Sequence, residues 1–208
     1  MPRISKDKAA RHRDEITGAS ASMLKQHGLR GVSISDLMGA VGLTHGGFYS
    51  HFETKDALIL AAVDHAYDQT AQQWLSRAEG KTASEARAEL LDHYLDMQHV
   101  QNVETGCPTA AFVGDMAREP MYSAVRLAFS DGVERLIKIL ASLEPGTTPT
   151  ASRSKSLVDY ATIVGTIVLA RATEETLLSD ELLAAAREHV IARVASTDTA
   201  AVATAENC

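Results

Sequence analysis

Cysteine is scarce in this chain of 208 residues, and long apolar runs are absent. The two cysteines, Cys107 and Cys208, are too few for a disulfide framework and fit a reducing compartment. The longest apolar stretch, YATIVGTIVLA before Arg171, is shorter than the ~18 residues that indicate a membrane span, and the N-terminus lacks the apolar core of a signal peptide. We therefore expect a cytoplasmic protein with no membrane segment.

Sequence signals for catalysis are also missing. The chain contains no glycine-rich phosphate loop and no HExxH, GxSxG or CxxC motif. One cluster resembles a metal or acid/base site, formed by His93 and His99 with Asp92, Asp96 and Glu104. On a single helix the spacing of the two histidines puts them on different faces, so a solvated helix face explains the cluster better. We predict no enzyme activity, no metal and no cofactor.

The pattern that remains is helical, because strand signals are almost absent and apolar residues recur at helical spacing between short turns. We predict an all-α fold. With 45% hydrophobic residues, the chain can bury a substantial core. The predicted helices cover residues 7–27, 34–41, 45–51, 55–79, 83–101, 108–117, 120–142, 152–177 and 180–195.

Residues 32–58, VSISDLMGAVGLTHGGFYSHFETKDAL, predict two short helices joined by a glycine-bearing turn. Ser33 or Ser35 can cap the first helix, and Gly42 can take the left-handed conformation that ends it. Thr44 can cap the second helix. A helix-turn-helix of this kind reads DNA by laying the start of its second helix in the major groove. The alternative is a compact helical corner that serves only packing.

The second helix supplies the candidate DNA contacts. Phe48 and Phe52, four residues apart, are predicted to face inward. The residues expected to contact bases in the groove are Thr44, His45, Gly46 and Gly47. The residues expected to hold phosphates are Ser33, Tyr49, His51 and Lys55. Residues 1–35 carry seven basic and three acidic side chains, although the whole chain has a net charge of −7, so the positive charge gathers at the N-terminal end.

The run GLTHGGFYSHFETKDAL resembles the recognition helix and following turn of TetR-type transcriptional regulators. Their usual pattern is Gly-Val/Leu-Ser/Thr-x-Gly-x-Leu/Phe-Tyr-x-His-Phe-x-x-Lys-x-x-Leu. Ten positions match it: Gly42, Leu43, Thr44, Gly46, Phe48, Tyr49, His51, Phe52, Lys55 and Leu58. Gly47 departs from the family, in which many members carry Ala or a small hydroxyl. The clear match covers about residues 10–65, and it implies that three N-terminal helices bind double-stranded DNA.

The resemblance also implies that the remaining helices bind a small effector and dimerise. We therefore expect a helix-turn-helix domain at residues 1–54, an effector-binding and dimerisation domain at 55–195 and a flexible tail at 196–208. Two apolar stripes on the last two helices are consistent with either a homodimer interface or an intramolecular core. Dimerisation is favoured because two helix-turn-helix segments, the reading heads of a dimer, bind half-sites of a pseudo-palindromic operator about 34 Å apart. The resemblance implies a four-helix interface.

The middle of the chain is rich in aromatic and methionine side chains, which suit an adaptable apolar pocket. We expect an apolar or weakly polar organic effector there, and the alternative is that these residues form ordinary core. The candidate pocket residues are Trp74, Tyr94, Met97, Phe112, Met116 and Tyr122.

Gly106-Cys107-Pro108 is the other notable motif, because proline is favoured in the first turn of a helix and so places Cys107 at or near its N-cap. The positive end of a helix lowers the pKa of a thiol. Some TetR-type members use a cysteine in a similar context to sense reactive species, and the alternative is a small buried core residue. We expect a repressor that a small organic effector releases from DNA. The alternatives are a thiol-based sensor acting through Cys107 and, more remotely, a helical carrier or enzyme.

Overall fold

The computed structural model describes residues 6–145 and 148–205, with side chains described for 10–145 and 148–191. Over these ranges the chain is helical and contains no strand, which confirms the all-α prediction. The elements are α1 (Lys6–His27), α2 (Ile34–Ala40), a 3₁₀ helix (His45–Ser50), α3 (Lys55–Ala78), α4 (Ala83–Tyr94), α5 (Met97–Gln101), α6 (Pro108–Met116), α7 (Ala124–Ser142), α8 (Pro149–Ala172) and α9 (Leu177–Ala205).

The helices form two compact units, which share α3 and α7 as continuous helices. The first unit comprises Met1–Gln69 and Val103–Gly132, and the second comprises Thr70–Asn102 and Val133–Cys208. These units group residues by spatial contact. The functional division expected near residue 54 stays a prediction.

The first unit packs α1 against α2 and α6, and α2 against the 3₁₀ helix. Its core includes Ile16, Leu37, Phe48 and Leu58, all fully buried. Lys25 is also buried, and its ammonium donates to the carbonyl of Gly106 at 3.5 Å. Part of the basic charge counted near the N-terminus is therefore used inside the protein and is not available to DNA.

Gly132 on α7 lies directly against the ring of Tyr67 on α3. A Cβ atom at Gly132 would lie 2.3–2.7 Å from three carbons of that ring. The ring cannot easily move, because Tyr67 is fully buried, shares a 2.8 Å hydrogen bond with the hydroxyl of Thr109 and meets Phe129 edge-on. Close packing with Tyr67 explains a glycine in the interior of α7.

Gly132→Ala is expected to lower the free energy of unfolding by about 1–3 kcal/mol, because the new methyl group overpacks a rigid site. Gly114→Ala on α6 is the matched control, since its Cβ would meet only the far end of Arg118 at 3.9 Å. Alanine there should raise the stability by up to about 1 kcal/mol through helix propensity. Urea denaturation measures both changes, and equal stabilities for the two variants would contradict the steric argument.

The second unit packs α8 and α9 with α4 and α5. Trp74 contacts the rings of Tyr94 and Tyr160 edge-on, with centroids 5.3 and 6.3 Å apart. Arg171 donates to the carbonyl of Val100 at 2.9 Å, which connects α8 to α5.

Several of the predicted helix bounds are wrong. The helix predicted at 83–101 divides into α4 and α5, because Asp96 caps a new helix by accepting from the amide of Gln98. The helix predicted to begin at residue 120 begins at Ala124, after a turn that starts at Pro120. The helix predicted at 152–177 runs from Pro149, where Thr148 caps it, to Ala172.

The last helix is longer than the sequence predicted. Glu175 has a φ of 67° in the turn before it, and α9 then runs from Leu177 to Ala205. The backbone of residues 196–205 is therefore helical, whereas a separate tail was expected. Residues 206–208, including Cys208, lie outside the described residues.

Candidate nucleic-acid interface

Helix α2 begins at a capping box. The hydroxyl of Ser33 accepts from the amide of Asp36, and the Asp36 carboxylate accepts from the amide of Ser33 at 2.9 Å. The hydroxyl and the amide of Ser33 both donate to the Asp36 carboxylate, and these two hydrogen bonds lower its pKa. Leu37 and Met38 of this helix are fully buried, which fixes α2 against the core of the first unit.

The turn after α2 has the predicted left-handed glycine. Gly42 has a φ of 70°, a conformation that glycine adopts without the strain a side chain would add. The amide of Leu43 then donates back to the carbonyl of Met38 at 2.9 Å, which closes the turn. The 3₁₀ helix that follows packs against α2.

The recognition segment His45–Ser50 is a 3₁₀ helix rather than the predicted continuous short α-helix. In this helix the amide of Gly47 donates a hydrogen bond to the carbonyl of Thr44 at 2.9 Å. The two glycines explain the difference, since glycine costs an α-helix about 1 kcal/mol relative to alanine. Thr44 has the backbone conformation of an N-cap, but its side chain makes no capping hydrogen bond. Phe48 and Phe52 are buried, as predicted, and their rings are stacked.

The candidate groove contacts form an open surface. Thr44, His45 and Gly46 are exposed, and Gly47 is half-buried. A Cβ at Gly46 would meet only the Thr44 hydroxyl, at 4.0 Å, so internal packing does not require glycine at this position. Tyr49 is 63% exposed and meets His45 edge-on at 6.1 Å. The structure therefore brings these predicted contacts together at the start of the recognition segment.

Two candidate phosphate contacts make hydrogen bonds inside the chain. Both the amide and the hydroxyl of Ser33 donate to Asp36, the hydroxyl at 2.6 Å. Lys55 donates one ammonium proton to the carbonyl of Val32, which ties the start of α3 to the loop before α2. A lysine has three donors, so Lys55 keeps others for DNA. Ser33 would have to break its cap to donate to a phosphate from its hydroxyl.

His51 lies in a cluster that the sequence did not predict. Its ring stacks on His12 with centroids 6.1 Å apart, and its carbonyl accepts from the guanidinium of Arg13. Arg13 also lies over the ring of Phe52, 4.1 Å from the centroid. These contacts fix α1 against the end of the recognition segment, so Arg13 positions the helix-turn-helix.

The pKa of His51 lies below its usual value, because burial and the positive charges of His12 and Arg13 disfavour the imidazolium. The unfolded chain therefore binds more protons near pH 6.5, and stability should fall as the pH drops below that value. NMR titration of the His51 ring should give the lowered pKa directly. His51→Gln should reduce the loss of unfolding free energy between pH 7.5 and 5.5, and His12→Gln should reduce it in part. An unchanged slope in His51→Gln would contradict this expectation.

The predicted effector residues lie in different surroundings. In the second unit, Trp74 and Tyr94 are buried and in ring contact, and Met97 begins α5. In the first unit, Phe112 and Met116 are buried on α6. Tyr122 lies in the turn before α7 and is 83% exposed, so it lines no enclosed cavity in this structure. The assignment of the other five to a pocket stays a prediction.

Cys107 is the N-cap of α6, as predicted, and its sulfur accepts from the amide of Ala110 at 3.4 Å. Its side chain is fully buried and forms no disulfide.

The break between α4 and α5 brings His93 and His99 together with ring centroids 5.5 Å apart, which corrects the prediction of separate faces on one helix. Within the described ranges, no three His, Cys, Asp or Glu side chains are placed to hold a metal ion. No helix there is long and apolar enough to cross a membrane.

Comparisons with known proteins agree with this geometry. A family model described as bacterial regulatory proteins, tetR family, matches residues 16–62. The HTH-type transcriptional regulator CymR of Pseudomonas putida is 29% identical over 91 residues, covering 43% of this chain and 45% of CymR, so this match spans less than half of that relative. An uncharacterised HTH-type regulator of Mycobacterium tuberculosis is 26% identical over 169 residues, covering 76% of this chain and 84% of the relative.

Solved structures share the fold over almost the whole chain. A TetR transcriptional regulator from Chloroflexus aurantiacus superposes with a TM-score of 0.74 at 23% identity, covering 91% of this chain and 96% of that protein. The reduced form of Escherichia coli NemR gives a TM-score of 0.69 at 19% identity, covering 86% and 94%. Bacillus subtilis FadR in complex with stearoyl-CoA superposes with a TM-score of 0.61 at 14% identity, covering 86% of this chain and 97% of FadR.

The capped α2, the left-handed turn and the exposed recognition segment define a helix-turn-helix protein that regulates transcription by binding DNA. Within that class, residues 16–62 match the tetR family model, and the chain shares its fold with solved TetR-type regulators.

Proposed function

We propose that this regulator is a repressor, which binds a pseudo-palindromic operator as a homodimer and leaves it when a small organic effector binds. The observation that carries the proposal is the open surface of Thr44, His45, Gly46 and Tyr49 at the start of the recognition segment. Thr44, His45 and Gly46 would contact bases, together with Gly47. Tyr49, His51 and Lys55 would hold phosphates, and Ser33 would stabilise α2 as its cap.

The outer face of α8 supports dimerisation. Val158 and Leu169 are each 51% exposed, eleven residues and about three turns apart. Gly165 lies between them, where an added Cβ would meet nothing within 4 Å. At the start of α9, Leu177 and Leu178 are 80% and 49% exposed. A second copy of the chain would bury these side chains and place two reading heads on successive half-sites.

The effector part of the proposal rests on family precedent and on the apolar middle of the chain. One structural relative, FadR, was crystallised with stearoyl-CoA, which shows that a protein of this fold holds a ligand with an apolar chain. Binding would release the operator by favouring a conformation that fits DNA poorly.

The experiment that tests this function is fluorescence anisotropy on duplex DNA from upstream of the protein's own gene, with excess non-specific DNA at near-physiological salt. Saturable binding that survives the competitor is expected. If no duplex from the gene's surroundings is preferred over competitor, the proposal fails, and the carrier or enzyme interpretation becomes the better one.

Variants of the recognition segment test the assignment of roles. Tyr49→Ala and Tyr49→Phe should weaken binding to all duplexes similarly, because a phosphate contact carries no sequence information. His45→Ala should instead change the preference at one base pair, by about 5- to 150-fold. The reverse result would overturn the assignment of these two residues.

The alternative is a repressor that responds to oxidants or electrophiles through Cys107. The N-cap position favours it, and the reduced form of NemR is among the proteins of similar fold. Full burial of the sulfur means that a reagent reaches it only when α6 opens locally. Oxidant-induced release that is lost in Cys107→Ala, while operator binding persists, would support this alternative. A wild-type response in that variant would eliminate it.

A further inference from the structure

The first unit contains a pocket of about 260 Å³ that none of the predicted effector residues lines. It lies between the α1–α2 loop, the first turns of α3 and the segment leading into α7. Its apolar walls are Leu29, Ala57, Ile59, Leu60, Ala124 and Val125. The volume is slightly below the ~300–1,000 Å³ of typical ligand sites, so it suits a small molecule.

Three charged side chains line the same pocket. Arg30 pairs with Glu119 at 2.8 Å and lies 3.8 Å from Asp56. The Glu119 carboxylate is fixed, with its side chain only 13% exposed, whereas the side chain of Arg30 is 69% exposed and that of Asp56 81%. Arg30 can therefore move into water and leave Glu119 facing the pocket. Two carboxylates and one guanidinium give the lining a net charge of −1.

The polar groups around the pocket also favour a cationic ligand over an anionic one. Asp115 accepts from the amide of Leu29 at 2.8 Å and pairs with Arg118. Arg126 donates to the backbone carbonyl of Glu119, which leaves the Glu119 carboxylate to Arg30. An anionic ligand would meet Asp56 and Glu119 with only Arg30 to balance them. A cationic ligand would take the place of Arg30.

The pocket touches both ends of the helix-turn-helix. Leu29 and Arg30 lie just before Ser33, the cap of α2, and Asp56–Leu60 begin α3 directly after the recognition segment. Lys55 already joins these two ends through the carbonyl of Val32. A ligand that packs against both ends would favour one arrangement of the reading head over others.

We propose that this pocket binds a small organic monocation with an apolar body, whose ammonium group replaces Arg30 at Glu119, and that this binding changes the affinity for DNA. The regulatory half of this inference rests on the proposed function. The binding half depends only on the pocket.

The binding test is an NMR titration of the full-length protein with labelled Ile, Leu and Val methyl groups. The probes are 2-phenylethylammonium, neutral 2-phenylethanol and anionic 3-phenylpropionate. We expect the ammonium to shift the methyl signals of Leu29, Ile59, Leu60 and Val125 saturably, with a Kd of about 1 mM or tighter. The alcohol should bind at least about threefold more weakly and the carboxylate more weakly still.

Variants make the sign of the charge decisive. Arg30→Met should tighten ammonium binding, because Glu119 then has no competing guanidinium, whereas it would weaken an anion. Glu119→Gln should weaken the ammonium by about tenfold. Ala57→Leu and Ala124→Leu fill the pocket from opposite walls and should each abolish binding. Asp131→Asn, an exposed carboxylate of α7 outside the pocket, is the control and should change nothing.

The proposed site would be overturned if the protein bound the carboxylate more tightly than the ammonium, or if Arg30→Met bound the ammonium more weakly than the wild type. Methyl shifts outside the pocket would overturn it as well. Coupling is measured separately, by operator titration with and without saturating 2-phenylethylammonium. A change in Kd of about fivefold or more is expected in the wild type and should be lost in Ala57→Leu. An unchanged Kd would overturn the regulatory half. A chain without any operator preference would instead refute the proposed function, while the methyl titration still decides the site.

Discussion

Arg87→Met is expected to lower the free energy of unfolding by about 3–5 kcal/mol, because it leaves buried carboxylates without their partner. The guanidinium pairs with Glu144 at 2.9 Å and with Asp159 at 2.6 Å, and all three side chains are fully buried. It also donates to the carbonyl of Leu140 at 2.6 Å. One side chain on α4 thus holds the end of α7, the following loop and α8 of the second unit together.

Two further variants test whether the loss of stability comes from leaving buried carboxylates unpaired rather than from the loss of an arginine side chain as such. Arg153→Met removes a surface arginine of α8 that pairs with Glu134, and should lower the stability far less than Arg87→Met, because water screens this pair. In Arg87→Met with Asp159→Leu, the remaining carboxylate of Glu144 keeps Lys155 as its partner, so much of the loss should be recovered. Urea denaturation at one fixed protein concentration measures all three. A double variant as unstable as Arg87→Met would contradict the argument.

The sequence did not predict this ion cluster, although it contains a signal for it. Arg87 lies among Ala86, Leu90, Leu91 and Tyr94 on the buried face of α4. A charged residue at an apolar position of a helix indicates a buried partner, but helical spacing cannot identify that partner. Glu144 and Asp159 lie 57 and 72 residues further along the chain, and only the folded structure brings them together.

The helix-turn-helix could be predicted from the sequence because local signals determine it. A serine cap, a glycine with positive φ and two inward phenylalanines each act within a few residues, and the structure has all of them. The 3₁₀ form of the recognition segment was missed because the spacing of side chains does not distinguish it from one turn of α-helix. The glycine pair was the only available sign.

A pocket could not be predicted from the sequence in the same way. Aromatic and methionine residues predict apolar surroundings, but buried Phe112 and Met116 fit a core as well as a pocket. The pocket of the first unit is lined mainly by leucine, isoleucine, valine and alanine from three separated segments. This apolar part of the lining resembles ordinary core in the sequence, and only the folded chain brings it together with Arg30, Asp56 and Glu119.

Leu169→Glu is expected to separate the proposed dimer and to weaken operator binding by about 10³-fold or more. A monomer contacts only one half-site, and much of the preference over non-specific DNA is lost with the second. Leu169 is 51% exposed on the outer face of α8, between the apolar positions Val158 and Leu177. A carboxylate buried there against a second copy would be desolvated without a partner. Sedimentation velocity and anisotropy on the operator measure the two effects.

Leu75→Glu is the matched control, since Leu75 is 53% exposed on α3 and lies outside the α8–α9 face. Both leucines are half-exposed, so neither change should alter the stability of the folded protomer by more than about 0.5 kcal/mol. We expect Leu169→Glu to be a monomer that binds DNA weakly and Leu75→Glu to behave as the wild type. This pair of results would assign dimerisation to α8 and α9. A Leu169→Glu protein that remains dimeric would place the interface on another surface. If it becomes monomeric yet keeps full operator affinity, one reading head is sufficient and the paired half-site model is wrong.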